Sequence, residues 1–321
     1  MRRIHQTIVI VLLSLSVVSC KVDFDFSELD GKPILYLDMN LTYAPYSYTE
    51  EAIPQDAPSS LRGYVYAVPP TAEERDFPED LYCRMKVFHN SELVWARDNI
   101  RLNEFEGLVS ADIYDIVPGD ELKITAQADG FPTATSTITV PQAPPQIMIS
   151  HTRINASKFR ISITFEDNPA TEDNYAFIFE KAYWYEDSLQ PSGLERLEPS
   201  FGSSEDTSFL DLGPFDAIWE DGNKFYGISD REFNGKKKTI DINVEYPLSS
   251  PEYAEYAYYS ICIHKVSQER LRYEIACQDK GNNILGFIGL APTTFSYTNI
   301  VGGSGCISCA YAGRTEWIAV P

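Results

Sequence analysis

Basic residues and histidines are scarce in this 321-residue chain, and each shortage excludes a class of function. Lysine and arginine number 26 against 47 aspartates and glutamates, so the formal net charge is −21. Nucleic-acid binding depends on basic patches that neutralise phosphates, so this composition argues against a nucleic-acid partner. It also argues against peripheral docking on anionic lipid. The four histidines form no His-Glu-x-x-His zinc motif.

Long hydrophobic runs are also missing. A helix needs about 20 apolar residues to span a bilayer, and the most apolar run, residues 8–18, is shorter. It follows Arg2 and Arg3, and this order is typical of a signal peptide. The run ends in Val-Val-Ser-Cys at residues 17–20, which resembles the lipobox of bacterial lipoproteins. We therefore predict that residues 1–19 are removed and that Cys20 carries the acyl chains.

Acyl chains on Cys20 would anchor the protein in the outer membrane. Several chains on one residue hold a protein stably, because each buried methylene contributes about 0.8 kcal/mol. The alternative is an ordinary secreted protein in which this cysteine occurs by chance. Residues 21–25 (KVDFD) loosely resemble an acidic surface-export signal, and a solvated tether is the other interpretation. The face of the membrane, periplasmic or external, therefore stays open.

Catalytic motifs are missing from the chain. Residues 302–306 (GGSGC) lack the last glycine of a Gly-x-Ser-x-Gly nucleophile elbow. Asp230 and Lys237 replace the first glycine and the Ser/Thr of a phosphate-binding loop. With 47 acidic residues, pairs close in sequence do not indicate a glycosidase. We therefore predict that the protein is not an enzyme.

Cysteines are few, and five remain after Cys20. Because the number is odd, at least one is free unless it pairs between chains. Cys306 and Cys309 form a Cys-x-x-Cys pair, but no helix signal follows, as a redox pair requires, and no second pair completes a zinc site. We prefer structural or incidental cysteines and predict no metal and no cofactor, with disulfide pairing left open. The five are Cys83, Cys262, Cys277, Cys306 and Cys309.

The first half of the mature chain alternates short apolar segments with turn signals, which is typical of an immunoglobulin-like β-sandwich. Residues 141–145 contain three prolines and are the candidate linker. We predict a tether at 20–32, the sandwich at 33–142 and a second domain at 143–321. The predicted strands lie at 34–41, 62–68, 82–95, 122–126 and 135–140, and the segment 82–95 is either one strand or a hairpin that turns at residues 89–91.

The second half begins with strands that alternate apolar and polar residues, as antiparallel strands with one solvated face do. These are residues 159–165, 175–179 and 240–246. A capping box at 249–252, apolar residues at three- and four-residue spacing and Gly281-Asn282 predict a helix over about 251–281. The predicted fold class is therefore mainly β, an immunoglobulin-like sandwich followed by an antiparallel β domain with one long α-helix.

Two groups of side chains are candidates for ligand binding. Aromatic rings near the loop-rich segment 187–222 can stack on sugars or other flat ligands, although strand and core packing is the preferred interpretation. These residues are Tyr183, Trp184, Tyr185 and Trp219. Asp167, Glu172 and Asp173 suit a calcium ion, but no twelve-residue calcium loop is present, so a solvated acidic turn is preferred.

Several short blocks, taken in order along the chain, resemble domain-of-unknown-function family 4249. The family consists of lipoproteins of Bacteroidota, often encoded beside TonB-dependent outer-membrane transporters, and has no established activity. The resemblance therefore implies a location and a partner, but no mechanism. The chain departs from the family at Cys306 and Cys309. The blocks are residues 117–120 (VPGD), 140–141 (VP), 161–169 (ISITFEDNP), 174–175 (NY), 229–236 (SDREFNGK), 250–253 (SPEY) and 297–305 (YTNIVGGSG).

Two hypotheses of function follow. The first is an outer-membrane lipoprotein that binds a nutrient or contacts the barrel as an accessory component of a TonB-dependent transporter system. The second is a structural or adhesive cell-envelope lipoprotein without a small ligand. Co-purification of a transporter would separate them.

Overall fold

The computed structural model describes residues 33–43, 58–68, 80–102, 107–155, 158–183, 192–196, 199–200, 210–214, 224–245, 257–282 and 297–321. Over these residues the fold is mainly β, with several antiparallel sheets and one α-helix, as predicted. The predicted signal peptide, Cys20 and the tether up to residue 32 lie outside the described residues.

The elements are numbered along the chain. The strands are β1 (Ile34–Tyr43), β2 (Ser59–Val68), β3 (Tyr82–His89), β4 (Glu92–Arg101), β5 (Leu108–Ile113), β6 (Glu121–Ala128), β7 (Ala134–Thr139), β8 (Met148–Arg153), β9 (Lys158–Glu166), β10 (Asn174–Tyr183), β11 (Ser192–Arg196), β12 (Pro199–Ser200), β13 (Leu210–Pro214), β14 (Lys224–Ser229), β15 (Lys237–Glu245), β16 (Ala257–Val266), β17 (Gly303–Arg314) and β18 (Ile318–Ala319). The α-helix is α1 (Gln268–Asn282), and a 3₁₀ helix covers Asp230–Glu232.

One large sheet runs through the molecule. It has ten strands, in the order β13-β14-β10-β16-β17-β1-β2-β5, with β11 beside β10 and β18 beside β16. Two four-stranded sheets complete the described architecture, β4-β3-β6-β7 and β12-β15-β9-β8. Strand β17, near the C-terminus, pairs in parallel with β1 and antiparallel with β16. The first and last long strands therefore meet in the middle of the large sheet.

The first core lies between the large sheet and the sheet β4-β3-β6-β7. Strand β1 alternates buried and half-buried residues, and Leu35, Leu37, Met39 and Leu41 all point into this core. Ile307 and Cys309 of β17 join them. Burying a leucine-sized side chain stabilises the fold by about 1.5–3 kcal/mol. The boundary at residues 142 and 143 stays a prediction, but this core draws on β17 as well as on the first half.

The second core lies between the same face of the large sheet and the sheet β12-β15-β9-β8. The predicted alternation of β9 places Phe159, Ile161, Ile163 and Phe165 inside. Strands β10, β14 and β16 supply the opposite side with a set of buried rings and branched chains. These include Tyr175, Phe177, Phe179, Ile228, Tyr259, Ile261 and Ile263.

The structure corrects the predicted helix of residues 251–281. Ala257–Val266 is strand β16, and the α-helix begins only at Gln268. Almost every residue of β16 is buried, so apolar residues occur at helical spacing without a helical face. Its aromatic and β-branched residues favour a strand. The predicted C-terminal end agrees with Asn282, whereas the capping box at 249–252 lies outside the described residues.

Helix α1 covers the opposite face of the large sheet. Leu271 packs there against Ile178, Cys262 and Ala310. Arg270, which interrupts the apolar spacing in the sequence, is buried and contacts two carboxylates, Asp38 on β1 and Glu274 on its own helix. The described part of the chain has no helix with the length and hydropathy of a membrane span.

Candidate functional site

The predicted aromatic group is only partly covered by the structure. Tyr183 ends β10, is half-buried and packs against the second core. Trp184, Tyr185 and Trp219 lie outside the described residues. The ligand-binding role of these four residues stays a prediction, although the position of Tyr183 fits the alternative of core packing.

Cys83, Cys262, Cys277, Cys306 and Cys309 form no disulfide among the residues that the structure describes, and all but Cys277 are buried. Cys306 and Cys309 lie on strand β17, and residues three apart on a strand point to opposite faces. Cys309 is in the first core, in register with Leu41, whereas Cys306 is in register with Asp38 on the face towards α1. Burial raises the pKa of both thiols. The Cys-x-x-Cys spacing therefore brings no disulfide or paired ligand set together here.

A group of three buried carboxylates lies at one edge of the second sandwich, which is formed by the large sheet and the sheet β12-β15-β9-β8 around the second core. Asp167 directly follows β9, Asp173 directly precedes β10, and Asp230 directly follows β14. The ends of these strands meet, so three residues from two distant segments become neighbours. Their exposed fractions are 3%, 4% and 0%. One carboxylate oxygen of each lies within 4.8 Å of the others. We call Asp167, Asp173 and Asp230 the carboxylate cluster.

Two of the three carboxylates are held by several donors. The Tyr175 hydroxyl donates to Oδ1 of Asp167 at 2.6 Å, and the Gly235 N–H donates to Oδ2 at 2.9 Å. Oδ2 of Asp173 accepts from the Thr171 hydroxyl at 2.9 Å and forms an ion pair with Lys265 Nζ at 2.6 Å. Burial and the hydrogen bond to Asp167 raise the pKa of Tyr175, so its hydroxyl stays protonated and remains a donor.

Asp230 is held differently. Its Oδ2 accepts the Asp173 N–H at 2.6 Å, and its own N–H donates to the Asp173 carbonyl at 3.0 Å. Its Oδ1 is buried and has no hydrogen-bond partner among the described residues. Burial, with the nearby charges of Asp167 and Asp173, raises the pKa of Asp230, although the hydrogen bond from the Asp173 N–H lowers it.

The cluster is chemically unbalanced when all three carboxylates are ionised. Among the described residues, Lys265 is the cation that forms an ion pair with the cluster, and with this pair two negative charges remain in a buried site. Buried charge is costly unless it is paired or coordinates a metal. The arrangement can be balanced in two ways, by protons or by a hard cation, since carboxylate oxygens are the ligands that such cations prefer.

The sequence identified part of this cluster. Asp167 and Asp173 come together as the calcium hypothesis requires, whereas Glu172 is exposed. The preferred alternative, a solvated acidic turn, is wrong for Asp167 and Asp173 because both are buried. Sequence reasoning missed Asp230 and Lys265. The only signal for Asp230 was its place in the block at residues 229–236, which resembles the family.

A second polar group lies on the other face of the large sheet. Glu180 is fully buried and pairs with Arg314 at 3.1 Å between Oε2 and Nη2. The Ser260 hydroxyl donates to the same carboxylate at 3.3 Å, and the Cys262 thiol lies 3.6 Å from it. Since β10, β16 and β17 are adjacent, these contacts tie three strands together. The group is a paired structural network.

A surface cavity of about 450 Å³ opens beside strands β3, β4 and β6 of the first sandwich. Its volume falls in the range of small-ligand sites, about 300–1,000 Å³. The Tyr82 ring is 44% exposed, and the Arg84 guanidinium donates to Asp98 at 2.5 Å. The lining is mostly polar and includes Tyr82, Arg84, Asp98, Asn99, Gln127 and Asp129.

Comparison with known proteins identifies the family. A family model described as "Domain of unknown function (DUF4249)" matches residues 82–316. The chain belongs to this family. The resemblance inferred from the sequence blocks is therefore confirmed. The DUF4249 match takes in the second core, helix α1 and the whole carboxylate cluster, whereas strands β1 and β2 of the first core precede it. No curated protein matches the chain.

Solved structures show only weak similarity to this DUF4249 protein. A glycosyl hydrolase family 2 member from Bacteroides cellulosilyticus has a TM-score of 0.22 and 13% identity, covering 73% of this chain and 27% of that one. A chitinase from Bacillus thuringiensis has a TM-score of 0.19 and 11% identity, and the match covers 65% of this chain and 27% of the chitinase. Red sea bream transglutaminase has a TM-score of 0.21 and 7% identity, and the match covers 73% of this chain and 29% of the transglutaminase. The chain spans between a quarter and a third of each structure, and similarity this low carries no argument about activity.

Proposed function

We propose that this DUF4249 protein is an outer-membrane lipoprotein, anchored through acyl chains on Cys20. We further propose that it is a binding or accessory component of a TonB-dependent transporter system. The observation that carries the proposal is the sequence Val-Val-Ser-Cys at residues 17–20, after a basic start and a short apolar run. The family to which the chain belongs has no assigned activity, so the proposal concerns location and partner.

The fold supports an anchored role. Thirteen residues, 21–33, separate Cys20 from the first residue of β1. At about 3.3–3.6 Å per residue they reach at most about 47 Å, which limits the distance between the sandwiches and the membrane surface. Strand β1 is internal to the large sheet, paired with β2 on one side and with β17 on the other. The tether from Cys20 therefore leads into a strand that belongs to the first core.

The cavity beside β3, β4 and β6 supports a binding role over a purely structural one. It is open to the surface, and its carboxylates, amides, guanidinium and tyrosine ring suit a small polar ligand.

The test is co-purification from outer membranes. A tag placed after Pro321 allows the protein to be captured in detergent, with the unanchored Cys20→Ser variant as the control. We expect a TonB-dependent barrel to be enriched with the wild type, and deletion of the gene to lower uptake through that barrel. If no transporter is enriched over the control and uptake is unchanged, the transporter role is wrong and the structural or adhesive envelope protein takes its place.

A further inference from the structure

One oxygen of the carboxylate cluster accepts no hydrogen bond from any residue that the structure describes. Asp230 is fully buried, and its Oδ2 is occupied by the Asp173 N–H. Its Oδ1 is also buried, and within the described part of the chain no donor reaches it. Buried polar atoms in proteins nearly always have a partner, and an ion is one of the recurrent explanations when no protein group supplies it. This oxygen is therefore an independent sign of a ligand at the cluster.

The spacing of the cluster fits one particular class of ion. Two oxygens that both lie 2.3–2.6 Å from one Ca²⁺ ion are at most about 5 Å apart. The three carboxylates each offer an oxygen within 4.8 Å of the other two. Mg²⁺ binds oxygens at about 2.0–2.1 Å, so its ligands are at most about 4 Å apart. Every separation within this limit can be spanned by Ca²⁺, whereas Mg²⁺ requires the oxygens to lie closer together.

The charge of the cluster fits the same ion. Three ionised carboxylates with the ammonium of Lys265 leave two negative charges, which one divalent cation neutralises. We propose that Asp167, Asp173 and Asp230 bind one Ca²⁺ ion through one carboxylate oxygen each.

Neighbouring groups orient the three carboxylates without preventing them from coordinating an ion. An ionised carboxylate has about four lone-pair sites, so it can accept hydrogen bonds and coordinate a metal together. Tyr175 and Gly235 fix both oxygens of Asp167, and Lys265 fixes one oxygen of Asp173. The ion would connect the turn after β9, in the small sheet, to the turn after β14, in the large sheet. Bound Ca²⁺ thus links the two sheets of the second sandwich.

The first test is thermal unfolding of the full chain, purified in detergent, stripped with EGTA and titrated with Ca²⁺. A ligand that binds only the folded state raises the melting temperature, and saturation should give roughly 5 °C. The same concentration of Mg²⁺ should give a smaller shift. Absence of a Ca²⁺-dependent shift at about 10 mM, far above the 0.1–1 mM Kd of weak extracellular calcium sites, overturns the proposal.

Two matched variants separate the site from general electrostatics. Asp230→Asn keeps an oxygen for the Asp173 N–H but removes the charge, so the Ca²⁺-dependent shift should disappear. Glu172→Gln removes an equal charge from the exposed neighbour in the same turn, and the shift should remain. A shift that survives in Asp230→Asn, or that disappears in Glu172→Gln alone, overturns the assignment.

A spectroscopic measurement on the wild type keeps the proposal testable if Asp230→Asn does not fold. Tb³⁺ replaces Ca²⁺ at oxygen sites and emits when a nearby tyrosine is excited. Tyr175 donates to two of the proposed ligands, at 2.6 Å to Asp167 and 3.2 Å to Asp173. We expect tyrosine-excited Tb³⁺ emission that Ca²⁺ displaces and that Tyr175→Phe weakens. If Ca²⁺ does not displace the emission, or if there is none, the site is not a Ca²⁺ site.

Discussion

At the residue scale, the five described cysteines differ in their access to solvent. Cys277 on α1 is exposed, whereas the other four are buried. The thiolate is the reactive form, so a raised pKa slows reaction near neutral pH. Burial raises the pKa of Cys83 to about 11 and that of Cys306 and Cys309 as well. Burial also raises the pKa of Cys277, so accessibility is what distinguishes it.

We predict that a thiol reagent at pH 8 modifies Cys277 first in the folded protein. Cys277→Ser should remove this fastest phase, while all five thiols should react in denaturant. Stopped-flow absorbance with peptide mass mapping measures both. Modification of Cys306 or Cys309 at the denatured rate in the folded chain, or a Cys306–Cys309 disulfide in the map, would contradict the buried positions on opposite faces of β17.

Single residues also mark the limit of sequence reasoning about the site. Asp167 and Asp173 lie six residues apart in one turn, so their sequence spacing already suggested a shared ligand. Asp230 is 57 residues from Asp173, and only the pairing of β10 with β14 brings it near. Lys265 is similarly brought in by β16. No pattern within one segment encodes these contacts, so the third carboxylate and the ammonium could not be predicted.

At the scale of elements, strand β1 fits tightly against β17 at Gly305. Gly305 has a φ of +97°, which disfavours any other residue, and a Cβ there would lie 2.1 Å from the Leu37 carbonyl oxygen. Gly305→Ala should therefore destabilise the protein by about 2 kcal/mol or more, because strain and overlap add. The matched control is Gly130→Ala, with a φ of +83° and no atom within 4 Å, for which strain alone predicts about 1 kcal/mol.

Urea unfolding of the two glycine variants measures the difference directly. The midpoint should fall further for Gly305→Ala than for Gly130→Ala, at an unchanged slope. Equal losses in the two variants would show that close packing between β1 and β17 contributes nothing.

Elements with one solvated face were predictable, and elements buried on both faces were not. Strand β9 alternates, and its strand was predicted from that alternation. Strand β16 is buried on both sides, and its apolar sequence is equally compatible with a buried helix. The helix predicted from the sequence therefore included Ala257–Val266 wrongly. The end of α1 was found because Gly281 and Asn282 are local stop signals.

At the scale of the whole molecule, strands from the two ends of the described chain pair with each other. β17 pairs with β1 and with β16, so residues about 270 positions apart are direct neighbours, as with Leu35 and Gly303. No local signal encodes such a pairing, and the sequence suggested two domains in succession instead. Because both cores share the large sheet, we predict one cooperative thermal transition in calorimetry. Two well-separated transitions would contradict this expectation.

A substitution on β17 tests whether the two cores, which share the large sheet, unfold together. Ile307 is buried in the first core, and Ile307→Ala should cost about 2–5 kcal/mol and lower the temperature of the whole transition. Val301→Ala, at a side chain that is 77% exposed, is the control and should leave the transition unchanged. A loss confined to the first sandwich, with the second melting as in the wild type, would show two independent units.

Anchoring through Cys20 is the central claim about the whole molecule, and fractionation of the Cys20→Ser variant tests it most directly. The wild type should sediment with the outer membrane, and its N-terminal peptide should begin at an acylated Cys20. The variant should lack the acyl mass and leave the membrane fraction. A variant that stays in the membrane fraction, or a wild-type peptide with an unmodified Cys20, would contradict the proposed lipoprotein.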